Sequence, residues 1–299
     1  MEKNILVAGA TGNLGFKICI ALIQRGAQVK ALVREESDSD RIKSLAQAGA
    51  EIMPVNYDHP ENIRDACKGI DCLVSALAGL GDVILDAQKI LLEAALDAGV
   101  GHFIPSDFCT DYTRLIPGEN RNFDLRRAFR AHIDSSNIKA TSIFNGAFAD
   151  ILKYNTPILN LKSKTIAYWG DKADWKLDFT TMENTAAFTA AAAISGHSTR
   201  DLHIASFQIS PNMLHEEILA LTNQDFIIQK LSEMDEFAES IKKQRTENPS
   251  GENELYAKWQ QAQYMYSMYS TQHKKLDNDL FTNIAWTTAP EYLKSFVKL

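Results

Sequence analysis

Residues 4–26, "NILVAGATGNLGFKICIALIQRG", set a short apolar run directly against three glycines and then an apolar helical pattern. Strand, tight turn and helix is the arrangement that this order of residues predicts. Gly9, Gly12 and Gly15 divide the work of the turn. The first permits the sharp reversal, the second lets a pyrophosphate approach the backbone, and the third allows the helix to pack closely, with its N-terminus facing negative charge. A tight turn that binds nothing has the same local shape. The strand before it and the helix after it favour dinucleotide binding, with Gly9, Thr11, Gly12, Asn13, Leu14 and Gly15 as the contacts.

The alternation continues. "QVKALV" reads as a strand, "DRIKSLAQAG" as a helix stopped by Gly49, and "AEIMPVN" as a third strand. "ENIRDACKGI", "DCLVSAL", "VILDAQKILLEAALDAG" and "GHFIPSD" then repeat helix and strand, as do "NFDLRRAFRAHIDSS" and "KATSIFN". Strands alternating with helices predict an α/β fold, a doubly wound parallel sheet of Rossmann type covered on both faces.

After Gly146 the rhythm changes. "LKSKTIAYWGDKADWKLDF" reads as strands joined at a Gly-Asp turn, and "TTMENTAAFTAAAAI" as a helix whose small side chains suit tight packing. Ser210-Pro211 reads as the N-cap and first residue of "MLHEEILALT", and two polar helices follow, split near Pro249 and Gly251. The expected organisation is a dinucleotide domain over residues 1–150, joined by a packing helix at about 180–195. A smaller, interleaved α+β substrate domain over 151–299 completes it.

About twenty residues beyond the glycines, where an acidic residue commonly holds a ribose hydroxyl, the second strand ends in Arg34. A guanidinium matches phosphate in charge and donor geometry, so NADP (as NADPH) is the expected cofactor. Arg41 is spaced to assist. Glu35 and Glu36 argue the other way if either turns toward a ribose, and a solvated strand-end charge is the plain alternative for Arg34.

Composition limits the partners. The 299 residues are 45% apolar, enough for a sizeable core, and the formal charge of −7 disfavours nucleic acid and anionic membranes. The N-terminus reads without a signal peptide, and "TAAFTAAAAI" is too short to span a bilayer, so a cytoplasmic location is expected. Cys19, Cys67, Cys72 and Cys109 form no CxxC pair, and His215-Glu216-Glu217 lacks the second histidine of a zinc motif, so no metal is expected.

"GATGNLG", "LVRE", "DCLVSAL", "DAQKILLEAALDAGVGHFIPSDF" and "SIFNGAFADIL" resemble the NmrA-like and isoflavone-reductase-like branch of the atypical short-chain dehydrogenases. The resemblance covers most of residues 3–155 and is most specific at "FIPSDF". It implies a monomeric or homodimeric NADP-dependent protein with its substrate cleft between two domains. It also implies cofactor contacts at Ser75, Ala76 and Asn145. Strand ends of this topology face the cleft, which adds Ser106 and Asp107, although a Ser-Asp pair there equally suits capping the next turn.

Reductases of that branch carry a lysine on the helix after the fifth strand, and the lined-up position here is Arg126. Arginine keeps its proton, so Arg126 is expected to neutralise developing negative charge rather than shuttle protons. Tyr112 and Asp107 are the further candidates for proton chemistry. Alternatively, Arg126, Arg127 and Arg130 simply coat a helix face. The YxxxK pattern at Tyr168 and Lys172 crosses a turn instead of stacking on one helix face, and is rejected as an active site. The helix from about 254 to 272 carries Tyr256, Trp259, Gln263 and Tyr266 in a stripe, with Met265, Met268 and Tyr269 beside it. It suits either core or a pocket for a planar substrate.

The expected function is that of an NADPH-dependent reductase of a small, aromatic or conjugated carbonyl-type compound. The alternative is a non-catalytic redox sensor that binds the dinucleotide and a protein partner. A nucleotide-sugar epimerase is disfavoured, because no YxxxK falls on the right helix.

Overall fold

The structure, a computed structural model, describes residues 2–34 and 36–297. The short runs read as strands become β1 (Asn4–Ala8), β2 (Gln28–Val33), β3 (Glu51–Pro54), β4 (Cys72–Ser75), β5 (His102–Ile104) and β6 (Lys139–Ala140). Between them lie α1 (Asn13–Gln24), α2 (Ser39–Ala48), α3 (Glu61–Cys67), α4 (Gln88–Asp97) and α5 (Arg121–Asp134). The strands pair in the order β3-β2-β1-β4-β5-β6, all parallel. The order reverses between β1 and β4, which is where a crevice opens at the carboxyl ends of the strands in such sheets.

Alternate residues of β1 enter different cores, as the two-residue repeat of a strand requires. Ile5 and Val7 pack with Cys19 and Leu22 of α1, whereas Leu6 and Ala8 pack with Leu91 and Ala95 of α4 and Phe129 of α5. Both faces of the sheet are therefore covered.

The rest of the chain supplies β7 (Ser142–Phe144), β8 (Ala147–Phe148), β9 (Thr165–Tyr168), β10 (Leu177–Thr180), β11 (Asp201–His203), β12 (Phe207–Ile209) and β13 (Ile227–Lys230). Its helices are α6 (Met182–Ser195), α7 (Pro211–Thr222), α8 (Met234–Glu247), α9 (Lys258–Ser270) and α10 (Ala289–Lys294). β7 follows β6 after one residue and pairs in parallel with β11. α6 is buried almost all round, and its alanines 186, 190 and 193 share the core of α1, as small side chains in a buried helix allow. The chain also returns to that core late, through Phe281, Ile284 and Trp286. A separate core gathers Trp169, Phe179, Ile218, Phe237 and Tyr269, with the Trp169 and Phe237 rings stacked 4.4 Å apart.

One sequence expectation is corrected. β9 and β10 do not form a hairpin: β9 pairs with β13 in parallel, while β10 lies between β8 and β12. Ala173 is held instead by Asn212, whose amide donates to its carbonyl at 3.1 Å. Tyr168 ends β9 and Lys172 stands over the Trp175 ring at 3.7 Å, so the YxxxK pair is not on a helix. Ser210 caps α7 as read from the sequence, accepting from the Met213 amide at 3.2 Å. Among the described residues no helix is long and apolar enough to cross a membrane.

Candidate functional site

The carboxyl ends of β1, β4 and β5 lie at one end of the six-stranded sheet, and β7 runs on from β6 after a single residue. At the end of β1, Gly9 has φ +75°, and a Cβ there would lie 2.8 Å from the Ala76 carbonyl oxygen. A Cβ at Gly15 would fall inside contact with the Gly9 carbonyl. Gly12 is the N-cap of α1 and offers no side chain to the first-turn amides, and no acidic residue occupies that turn. The N–H groups of Asn13, Leu14 and Gly15 therefore face outward without a partner in the helix, a cradle shaped for an anion.

Thr11 and Asn13 are tied to α2. Arg41 donates from Nη1 to the Thr11 carbonyl at 2.7 Å and from Nη2 to Asn13 Oδ1 at 2.8 Å. Its backbone is set by the Asp38 cap, which accepts from the amides of Asp40 and Arg41. Arg34 lies exposed just beyond β2, its amide donating to Ser37 Oγ at 3.1 Å. Its charge acts on Tyr57, where burial pushes the phenol up to about 12 against the arginine's pull. Of the two acidic neighbours, Glu36 is exposed and Glu35 lies outside the described residues.

At the next strand ends, buried polar atoms are left without partners. Ser75 is fully buried with its hydroxyl unpaired, and Asn145, also fully buried, has Oδ1 unpaired while Nδ2 donates to Thr185 Oγ1 at 3.2 Å. The cradle, the open helix end and these unmet hydrogen-bonding groups fit a dinucleotide laid across the strand ends. Ser106 binds three elements together: its hydroxyl donates to the Leu77 carbonyl, its amide to Gln88 Oε1, and its carbonyl accepts from Arg126 Nε at 3.0 Å.

Asp107 and Tyr112 sit behind this edge. Asp107 Oδ2 accepts from Tyr112 at 2.9 Å and from Ser142 Oγ at 2.7 Å, and burial raises its pKa. Tyr112 is fully buried, edge-on to Phe144, and burial together with the Asp107 charge pushes its phenol above the usual range. The Tyr112 proton is thus committed to Asp107, inside a closed cluster. The turn that follows is capped by Asp111, not Asp107.

Arg126 is half-buried on α5, donating from Nε to Ser106 and from Nη1 to the Asn122 carbonyl at 3.0 Å. Burial opposes its charge, but Cys109, Tyr264, Asp107 and Tyr112 around it hold its pKa above the ordinary value. It is a fixed cation at the strand edge, neither a proton shuttle nor part of an exposed coat.

Sequence reasoning missed the seam between α5 and α9. Asn120 Nδ2 donates to Ser267 Oγ, Gln260 Nε2 to Asn120 Oδ1, the Arg121 amide to Gln263 Oε1, and Asn122 Nδ2 to Tyr264 Oη at 2.9 Å. Arg121 pins it further, reaching the carbonyls of Gly251, Glu252 and Glu254 and lying 4.8 Å from the Trp259 ring. The aromatic stripe itself divides: Trp259, Met268 and Tyr269 are buried and Tyr256 is exposed. The available signal was the polar set Gln260, Gln263, Ser267 at helical spacing, which a surface helix would not need to bury.

Among the described residues no group of three or more His, Cys, Asp or Glu could hold a metal, and all four cysteines are free and buried. Known proteins share this architecture. A bifunctional pinoresinol-lariciresinol reductase of Linum usitatissimum is 31% identical over 199 residues, 62% of this chain. The match spans 63% of that relative's length. Pinoresinol reductase 2 of Arabidopsis thaliana is 25% identical across 99% of this chain and 98% of its own. The solved structure of AtPrR2 with NADP+ and (+)pinoresinol superposes with a TM-score of 0.82 at 23% identity, covering 99% of both chains, which shows the fold. The model of the NmrA-like family matches residues 1–293, from the glycine cradle through the α5–α9 seam to α10, and the chain therefore belongs to the NmrA-like family.

Proposed function

We propose that this chain is an NADPH-dependent reductase of a small aromatic or conjugated carbonyl-type compound. The observation that carries this reading is the anion cradle of Gly9, Gly12 and Gly15 at the point where the strand order reverses, with Arg41 bonded to its turn and Arg34 exposed just past the end of the neighbouring strand β2. The reading is supported by relatives whose names describe reductases of pinoresinol and lariciresinol, both aromatic compounds.

NADPH, when bound, supplies a hydride. The outward amides of α1 hold the pyrophosphate. Arg34 takes the 2′-phosphate, and Arg41 keeps the turn in shape. Ser75 and Asn145 offer their unpaired oxygens along the strand ends. Arg126, anchored through Ser106, balances negative charge that develops on the substrate oxygen.

The dinucleotide side is tested by calorimetric titration with NADPH, NADP+, NADH and NAD+ at one ionic strength. The expected order has NADPH tightest, and absence of binding would overturn the reading. Arg34→Ala should weaken NADPH by roughly 10- to 100-fold, the size of a lost charge-assisted hydrogen bond, and leave NADH unchanged. Arg41→Ala should weaken both, because it releases Thr11 and Asn13. Arg126 favours a second reading, a redox sensor with a protein partner, since it cannot shuttle a proton. Equal affinity for NADPH and NADP+ would remove it, because a ligand pair bound equally well shifts no equilibrium.

A further inference from the structure

A reductase needs a proton as well as a hydride, and Arg126 cannot give one. We propose that Tyr264, in the seam where α9 meets α5, is the group that delivers it. This inference rests on the reductase reading.

The geometry fixes what the Tyr264 hydroxyl does within the seam. Arg121 has only donors, and its Nε donates to Asn122 Oδ1 at 2.9 Å, so the Asn122 amide group must turn its Nδ2 the other way. That Nδ2 donates to Tyr264 Oη at 2.9 Å. The phenol oxygen is therefore an acceptor in the seam, and its own O–H donates no hydrogen bond among the described residues. Its ring is held edge-on against Phe123, centroids 5.2 Å apart. Of the other buried tyrosines, Tyr112 donates to Asp107 and Tyr269 to the Ala167 carbonyl, while Tyr292, its hydroxyl unpaired, lies in the separate core with Phe207 and Phe296, away from α5.

Its electrostatics suit an acid that must be loaded at neutral pH. Burial raises the Tyr264 pKa, and the Arg126 charge and the Asn122 hydrogen bond pull it back down. The proton is present before reaction. The phenolate left afterwards sits beside a permanent cation and an amide donor that stabilise it.

The step balances simply. The hydride and its electron pair pass from NADPH to the electron-poor carbon, giving NADP+. In a carbonyl compound the π pair moves to oxygen, and in the cyclic ether pinoresinol the pair of the breaking benzylic C–O bond does; in each case that oxygen forms a new O–H bond with the Tyr264 proton. The old O–H pair remains on the phenolate, which solvent reprotonates.

Tyr264→Phe keeps the ring and removes the proton. With an aryl enone, an isoflavone and pinoresinol as test substrates, turnover of any that the wild type reduces should fall by about 100- to 10,000-fold, the range for a positioned general acid. NADPH affinity should stay within about twofold, as for a residue that makes no contact with the dinucleotide. A second readout needs no substrate. Ultraviolet titration of tyrosinate should lose one phenol in Tyr264→Phe, and that phenol should titrate at higher pH in Arg126→Met than in the wild type. Turnover of Tyr264→Phe within threefold of an active wild type, or an unmoved phenol in Arg126→Met, overturns the inference while leaving the reductase reading intact. A wild type that binds NADPH and reduces none of the three overturns the reductase reading and the proton role with it.

Discussion

Gly15→Ala is expected to abolish measurable dinucleotide binding and to lower the melting temperature by several degrees. The added Cβ would fall on the Gly9 carbonyl oxygen, 2.8 Å from the Gly9 carbonyl carbon and 3.2 Å from Ala10 Cα. All three are backbone atoms, so no side chain can swing aside. Relief requires α1 to move away from the end of β1, and the amides of the cradle move with it. Overpacking of this kind costs about 1–3 kcal/mol, and displacing several amides by even an ångström removes most of their value to an anion. Gly26→Ala is the control. Gly26 has φ +81° but nothing within 4 Å of a Cβ, so only backbone strain of about 1 kcal/mol is expected, with binding unchanged. Calorimetry with NADPH and thermal unfolding of both variants separate the effects. If Gly15→Ala binds as the wild type does, the cradle is not the binding site.

That prediction was open to sequence reasoning because everything it uses is local. Strand, three glycines and helix lie within residues 4–24, and the period of two in β1 already assigns Ile5 and Val7 to one face and Leu6 and Ala8 to the other. What was hidden is nonlocal. The pairing of β9 with β13 joins Ile166 to Ile228 across the α7 helix, and no pattern within "TIAYWGDK" reports it. Asp107 and Tyr112 have side chains suited to acid–base chemistry, but burial and mutual hydrogen bonding are properties of the packed state. Tyr264 shows the converse. It stands one residue from the stripe through Gln263, so the face that meets α5 became visible only once Asn120, Arg121 and Asn122 were seen to bond to it. Arg34 and Arg41 divide similarly. Spacing selects Arg34, while the structure ties Arg41 to the glycine turn itself.

Stability is expected to fall by a few kcal/mol between pH 7 and pH 4.5, and buried histidines set the direction. His102 is lowered to about 4 by burial and then by Lys139 and His197, its ring bridging Thr141 Oγ1 at 2.9 Å and Cys72 Sγ at 3.6 Å. His273 is lowered to about 3 by burial, with the His203 charge adding to it. Around its ring stand His203, Asp111, Arg114 and Asp178. For both histidines the unfolded chain binds more protons below about pH 6.5, so stability is present above that pH and is lost as pH falls toward the folded value. Asp178 has the opposite sign. Burial raises it to about 6, so the folded state holds its proton more tightly and gains as pH falls from about 6 to 4. Asp107, raised by burial, acts in the same sense. Two histidines displaced by about two units over this window contribute roughly 5 kcal/mol of loss, and the carboxyl Asp178 returns about 2. Urea unfolding at pH 7 and pH 4.5 measures the net. His102→Gln retains a polar contact to Thr141 and removes one titration, so it should remove about half of the histidine contribution. An unchanged pH dependence in that variant would mean that His102 is not held neutral in the fold. The same experiment on His273→Gln asks about a different place. His273 lies between Asp178 of β10 and His203 of β11, its amide donating to Asp178 Oδ2 at 2.7 Å, so its protonation acts where the β7–β11 pair meets the three-stranded sheet of β8, β10 and β12. Acid is therefore expected to loosen that junction together with the main sheet, and a second transition in the wild type that is absent from His273→Gln would locate it there.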